Sequence, residues 1–137
     1  MCDTAIVYSN NSKPIFVKNS DREPDEPQIV IEIPSKESKS QLVQCTYISI
    51  PQVHITNKMI LSKPTWIWGG EMGINEKSVA IGNEAVFTNQ IMKKNTGLIG
   101  MDLLRLGLER GNTAKSALFI ITNLLEQYGQ SGACGFK

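Results

Sequence analysis

Met1-Cys2-Asp3-Thr4 puts a thiol where ordinary removal of an initiator Met leaves it on the first residue of the mature chain. That cleavage brings a nucleophile and a base together on one residue. A free α-amine has an unperturbed pKa of about 7.7–8.0 and a Cys thiol about 8.5, so a proton passes between them at little cost near neutral pH. Held on a strand end, the amine takes the thiol proton and later returns it to a leaving amine, which is the chemistry needed to break an amide. A small residue after Met is common, so Cys2 needs supporting groups nearby. Asp21 is the first of these: a carboxylate beside the terminal ammonium orients it, while a cation from Lys18 or Arg22 favours the thiolate. Arg22 is equally suited to clamping a substrate carboxylate through two parallel hydrogen bonds. Glu23, Asp25 and Glu26 read instead as a charged turn between prolines.

Asn83 follows an apolar segment, 78–81, and is expected at a strand end, where its amide would donate to the oxyanion of an attacked carbonyl. Asn75 lies in the polar, glycine-containing bend 69–76. Trp66 and Trp68 alternate with Ile67 on one face and form either core or the wall of a substrate pocket. Cys45, inside an alternating segment, reads as core. His54 reads as structural, and Cys134 as a buried small residue in a helix-to-strand turn. The stretch 129–135 is not a phosphate loop, because it follows a helix rather than preceding one.

The elements that must position these groups follow from periodicity. Extended segments are expected at 4–8 and 15–18, with turn chemistry at 10–14 making a hairpin, then at 28–33, 43–50, 53–61, 66–68 and 78–81. The hairpin returns the end of its second strand, and Asp21 with it, to Cys2. The polar run 35–40 reads as a solvated loop. From 98 to 110 the period lengthens, with Met101, Leu104 and Leu108 on one face and Asp102, Arg105 and Glu109 spaced for surface ion pairs. A second helix runs from an N-cap at Thr113 along Ala114, Ala117, Leu118, Ile121, Leu124, Leu125 and Tyr128 to Gly129. Strands followed by two antiparallel helices predict an α+β fold, with helices on one face of a mainly antiparallel sheet.

Composition narrows the classes of function. The chain has 137 residues, 41% hydrophobic and 20% charged, and a formal net charge of +1. This is globular, and it gives no electrostatic reason to expect nucleic acid or an acidic membrane. Three cysteines and one histidine make neither a disulfide framework nor a zinc pattern, so no metal or other cofactor is expected. The absence of a signal-like opening and of a spanning apolar run predicts a cytoplasmic protein.

Taken together, the opening Met-Cys-Asp-Thr, the stretch Lys-Asn-Ser-Asp-Arg-Glu-Pro-Asp-Glu-Pro-Gln at 18–28, Trp-Ile-Trp-Gly-Gly-Glu-Met-Gly-Ile-Asn-Glu at 66–76 and Ile-Gly-Asn-Glu-Ala-Val-Phe-Thr at 81–88 resemble the secernin and bacterial cysteine dipeptidase family. Gly-Leu-Ile-Gly-Met-Asp-Leu-Leu-Arg-Leu-Gly-Leu-Glu-Arg at 97–110 and Tyr-Gly-Gln-Ser-Gly-Ala-Cys-Gly at 128–135 extend the likeness over almost the whole chain. The resemblance implies an N-terminal nucleophile hydrolase with a four-layer αββα sandwich. It implies Cys2 as nucleophile, Asp21 as the residue holding its amine and Asn83 as oxyanion donor, with Lys18 standing where acylase relatives have an Arg. Lys18, Asn19, Arg22 and Trp68 are the expected substrate contacts.

Family members run to several hundred residues. Residues 1–137 are therefore expected to be the amino-terminal part of one such domain: strands in 1–96, helices in 97–128 and the start of another strand in 133–137. The implied substrate is a dipeptide or small amide, with N-acyl amides and a catalytically silent scaffold as the alternatives. An exposed apolar sheet face in such a portion leaves self-association open.

Overall fold

The computed structural model describes residues 2–10, 12–86, 89, 96–132 and 134–136, without the side chains of Ser9, Ser12 and Cys134–Phe136. Over the described residues the fold is α+β, with antiparallel sheets and two helices. β1 (Asp3–Ser9) and β2 (Ser12–Asn19) form the expected hairpin, in a register that pairs Asp3 with Asn19 and Thr4 with Lys18.

The central sheet has five antiparallel strands in the order β11-β10-β9-β8-β3. These are β3 (Gln28–Ile33), β8 (Met59–Pro64), β9 (Met72–Asn75), β10 (Ala80–Ala85) and β11 (Cys134–Phe136). The hairpin lies over β10 at its glycine: a Cβ on Gly82 would stand 3.0 Å from the Phe16 ring and 3.1 Å from the Lys18 side chain.

The opposite face of the sheet carries α1 (Gly100–Arg110) and α2 (Ala114–Tyr128). Gly107 meets Ile121 and Gly111 meets Ala117, so contacts advance along one helix while receding along the other, as antiparallel packing requires. Leu61, Ile81, Leu103, Leu104, Leu108 and Ile121 share the resulting core with Met59 and Ile50. Two short ribbons flank α1: β4 (Lys36–Glu37) with β7 (Ile55–Thr56), and β5 (Leu42–Gln44) with β6 (Ser49–Pro51).

Several expected elements are corrected. The segment 43–50 is not one strand; it folds back as β5 and β6, closed by Cys45 N–H donating to the Ile48 carbonyl at 2.9 Å. The segment 53–61 breaks at Asn57, whose N–H donates to the Glu109 carbonyl at the end of α1. Residues 36–37, expected in a loop, pair with β7. The glycine-containing bend contains strand β9, where Gly73 is required because a Cβ would come within 2.7 Å of the Ile60 carbonyl and of Leu108. Residues 66–68 form a loop and not a strand: Pro64 closes β8, and Gly69 then crosses the α1 backbone so closely that a Cβ would lie 2.2 Å from Met101.

On α1, Arg105 and Glu109 pair at 3.0 Å as spaced, but Asp102 and Glu109 are buried rather than on the surface. The ribbon accounts for Asp102, whose carboxylate accepts the Thr46 hydroxyl at 2.6 Å. Burial pushes the Asp102 carboxyl up, and the hydrogen bonds from Thr46 and Ile99 oppose that rise. On α2, Thr113 accepts the Ser116 N–H at 3.1 Å and Gly129 ends the helix with φ +69°, as the sequence predicts; Leu118, assigned to the apolar stripe, is exposed.

Candidate functional site

The hairpin carries the chain's first residues to the loop after β2. Cys2 is partly exposed, one residue before β1, and the Asp3–Asn19 pairing brings it beside 20–21. The terminal ammonium, by hydrogen bonding first and by its charge second, holds the Asp21 carboxyl below its ordinary value. Asp21 lines a polar cleft of about 360 Å³ with Arg22, Glu23 and Glu26.

Arg22 is committed to neighbours. Its Nη1 donates to buried Glu71 at 2.8 Å, and its Nε and Nη2 reach the two oxygens of Glu26 at 2.8 and 2.5 Å. Burial opposes the charge, yet the two carboxylates outweigh it and keep the guanidinium above its usual range. Glu26 is held low by Arg22 and by the Trp66 indole N–H, which also donates to it. Arg22 thus fastens the loop after β2 to Glu71, at the start of the β9 segment, and the expected substrate clamp is engaged in structural bonds.

Strand alternation sets which groups share the Cys2 side. Thr4, Ile6, Phe16 and Lys18 face the central sheet. The Thr4 hydroxyl donates to Glu84 on β10, and the Lys18 Nζ stands 4.0 Å from the same Glu84 oxygen. Lys18 also reaches the Asn19 carbonyl at 3.4 Å. Asn19 is exposed at the end of β2.

Asn83 is corrected on two points. β10 continues to Ala85, so this residue is inside a strand rather than at its end. Its neighbours Gly82 and Glu84 face the hairpin while Ile81 packs on Gly107 of α1, so alternation turns the Asn83 side chain to the helix face. Its N–H donates to the Glu71 carbonyl at 3.1 Å. The structure therefore does not bring Asn83's amide together with Cys2. Trp68 is also on the helix side, with the Arg105 guanidinium 3.9 Å from its ring centroid and bonded to its carbonyl at 2.7 Å.

Glu84 is the residue that sequence reasoning missed. The signal was present: a carboxylate two residues beyond Gly82, on the same face of a buried strand. A second cleft, of about 880 Å³, lies between the far part of the hairpin and the sheet. Ile6, Tyr8, Phe16, Ile60, Met72 and Ile74 are among its lining residues, and its walls are mainly apolar.

Cys45 is buried in the core, as expected, though in the turn between β5 and β6 rather than in a strand. His54 is exposed and 3.1 Å from Glu37. Cys134 begins β11; its side chain lies outside the described residues. Among the described residues no cluster of His, Cys, Asp and Glu is arranged to hold a metal, and no helix is long and apolar enough to cross a membrane. A scan against protein-family models finds no match for the chain.

Proposed function

We propose that this chain carries the nucleophile-bearing part of a cysteine-dependent amide hydrolase of the secernin and bacterial cysteine dipeptidase type, acting on dipeptides. The observation that carries this reading is the hairpin register, whose Asp3–Asn19 pairing sets partly exposed Cys2 beside the loop that bears Asp21. Removal of Met1 would move the amine one residue along the strand, by about 3.3 Å, a distance a carboxylate side chain can follow.

In the proposed reaction the Cys2 sulfur bonds to the scissile carbonyl carbon as the α-amine takes the thiol proton. The C–N bond then breaks, the leaving amine receives that proton, and water hydrolyses the thioester. Backbone N–H groups would receive the oxyanion, since the Asn83 side chain is on the far face of β10. Lys18 supplies positive charge on the nucleophile's side of the hairpin. No cofactor enters the scheme, and the partner is the peptide substrate.

The apolar walls of the larger cleft favour a second reading with the same chemistry, hydrolysis of N-acyl amides whose acyl group is apolar. Side-by-side rates on dipeptides and on phenoxyacetyl amides separate the two. For either substrate, Cys2→Ala in Met-free protein is expected to remove turnover; unchanged turnover sinks the mechanism.

A further inference from the structure

Glu84 carries a carboxylate oxygen that the described residues leave unanswered. Its Oε1 accepts the Thr4 hydroxyl and lies 4.0 Å from Lys18 Nζ. Its Oε2 is buried and has no hydrogen-bond partner among the described residues. The surroundings are closed: the Lys18 side chain is 0% exposed and the Glu84 side chain 12%. A buried acceptor without a donor is destabilising, so a fold that keeps one calls for an explanation.

The register supplies a donor. Thr4 and Lys18 are cross-strand partners facing β10, and Cys2 is two residues before Thr4, on that same face of the hairpin. With Met1 present, the terminal ammonium holds the Asp21 carboxyl low. Trimming shifts that ammonium by one residue toward Thr4, and hence toward Glu84.

We propose that Glu84 is a second anchor for the amine freed by Met1 removal, its Oε2 accepting a hydrogen bond from the Cys2 ammonium while Asp21 holds the other side. Two carboxylates, Asp21 and Glu84, then face two cations, Lys18 and the ammonium. The nearby Arg22 is occupied by Glu26 and Glu71. Glu84 is a positioning residue, acting through the amine. The inference rests on the hydrolase reading only in requiring that Met1 be removed.

The test compares Met-free protein with Met-retained protein from cells in which methionine removal is blocked. Trimming is expected to raise the melting temperature by about 2–4 °C, the shift that one added charge-assisted bond gives a chain of this size. Glu84→Gln keeps an acceptor for Thr4 and removes the charge, and it is expected to abolish that difference. A crystal structure of the Met-free wild type provides a readout that does not depend on the variant folding. A Cys2 N to Glu84 Oε2 distance below about 3.2 Å supports the anchor. A distance beyond 4 Å, or a trimming effect that is absent in the wild type or persists in Glu84→Gln, overturns it.

Neither readout involves the thiol. Unchanged turnover in Cys2→Ala with the amine contact intact would remove the hydrolase reading alone. Loss of turnover in Cys2→Ala with no amine contact would remove the anchor alone.

Discussion

Cys2 and Cys45 carry the same group in opposite surroundings. Cys2 is partly exposed at a strand end, whereas Cys45 is enclosed beneath α1, where burial first, and then the charges of Asp102 and Glu109, push its thiol from an ordinary 9.0 up to about 12. At pH 8, iodoacetamide is expected to label Cys2 in the folded protein and to reach Cys45 only on unfolding; peptide mass mapping checks both. The shift also fixes a pH dependence. Between about 9 and about 12 the unfolded chain loses the Cys45 proton while the folded chain keeps it, so stability falls as pH rises through that window. Urea titrations across that range should show the fall, and Cys45→Ala should flatten it. Asp21 has the opposite sign. Its carboxyl is held below 3.8 by the terminal ammonium, so its contribution is present above that pH and is lost as the solution becomes more acid.

At the scale of elements, the passage over α1 is the tightest constraint. Gly69→Ala would drive a methyl into the Met101 backbone and displace the loop that holds Trp68 against Arg105. A loss of about 3 kcal/mol or more is expected in denaturant unfolding. Ser78 gives the contrasting case. It has φ 62° in the turn between β9 and β10, and Ser78→Gly should raise stability by about 0.5–1 kcal/mol by removing the left-handed penalty. The two helices were legible because each buries one side and so writes its period into the sequence, β3 from its alternating isoleucines, and the hairpin from the turn residues between its strands. β9 was not, since Gly73 is chosen for the space left by Ile60 and Leu108 rather than for strand propensity. The Trp66 to Trp68 alternation misled for a related reason: it comes from a loop in which the Trp68 ring lies against Arg105 of α1 while the Trp66 indole donates to Glu26. In the candidate site, the nearness of Cys2 to the loop bearing Asp21 was readable from a hairpin that doubles back. The sidedness of Asn83 and Glu84 depends on which face of β10 the hairpin covers, and that is a tertiary fact.

For the whole molecule, the two faces of the central sheet differ. One is sealed by α1 and α2, while the other leaves Val30 71% and Ile60 46% exposed, with Ile74 and the hairpin's Ile6 and Tyr8 also open to water. Exposed apolar side chains grouped on one sheet face favour association. Concentration-dependent sedimentation is expected for the isolated chain, and Val30→Lys combined with Ile60→Lys should shift it toward the monomer without altering helix content by circular dichroism.

The last turn of α1 is tied to the sheet by two carboxamides. Asn75 Nδ2 donates to the Leu108 and Gly111 carbonyls at 2.9 and 2.7 Å, while its Oδ1 accepts the N–H groups of Lys77 and Val79, both at 3.0 Å. Asn57 bonds to the same Gly111 carbonyl at 3.1 Å. Helix termini ordinarily fray first, but here fraying would strip both bonds that Asn75 Nδ2 donates and loosen the side chain whose Oδ1 holds the β9–β10 connection. The helix end and the neighbouring strand turn therefore form a single opening unit, whose amide protons should exchange with solvent at a common rate.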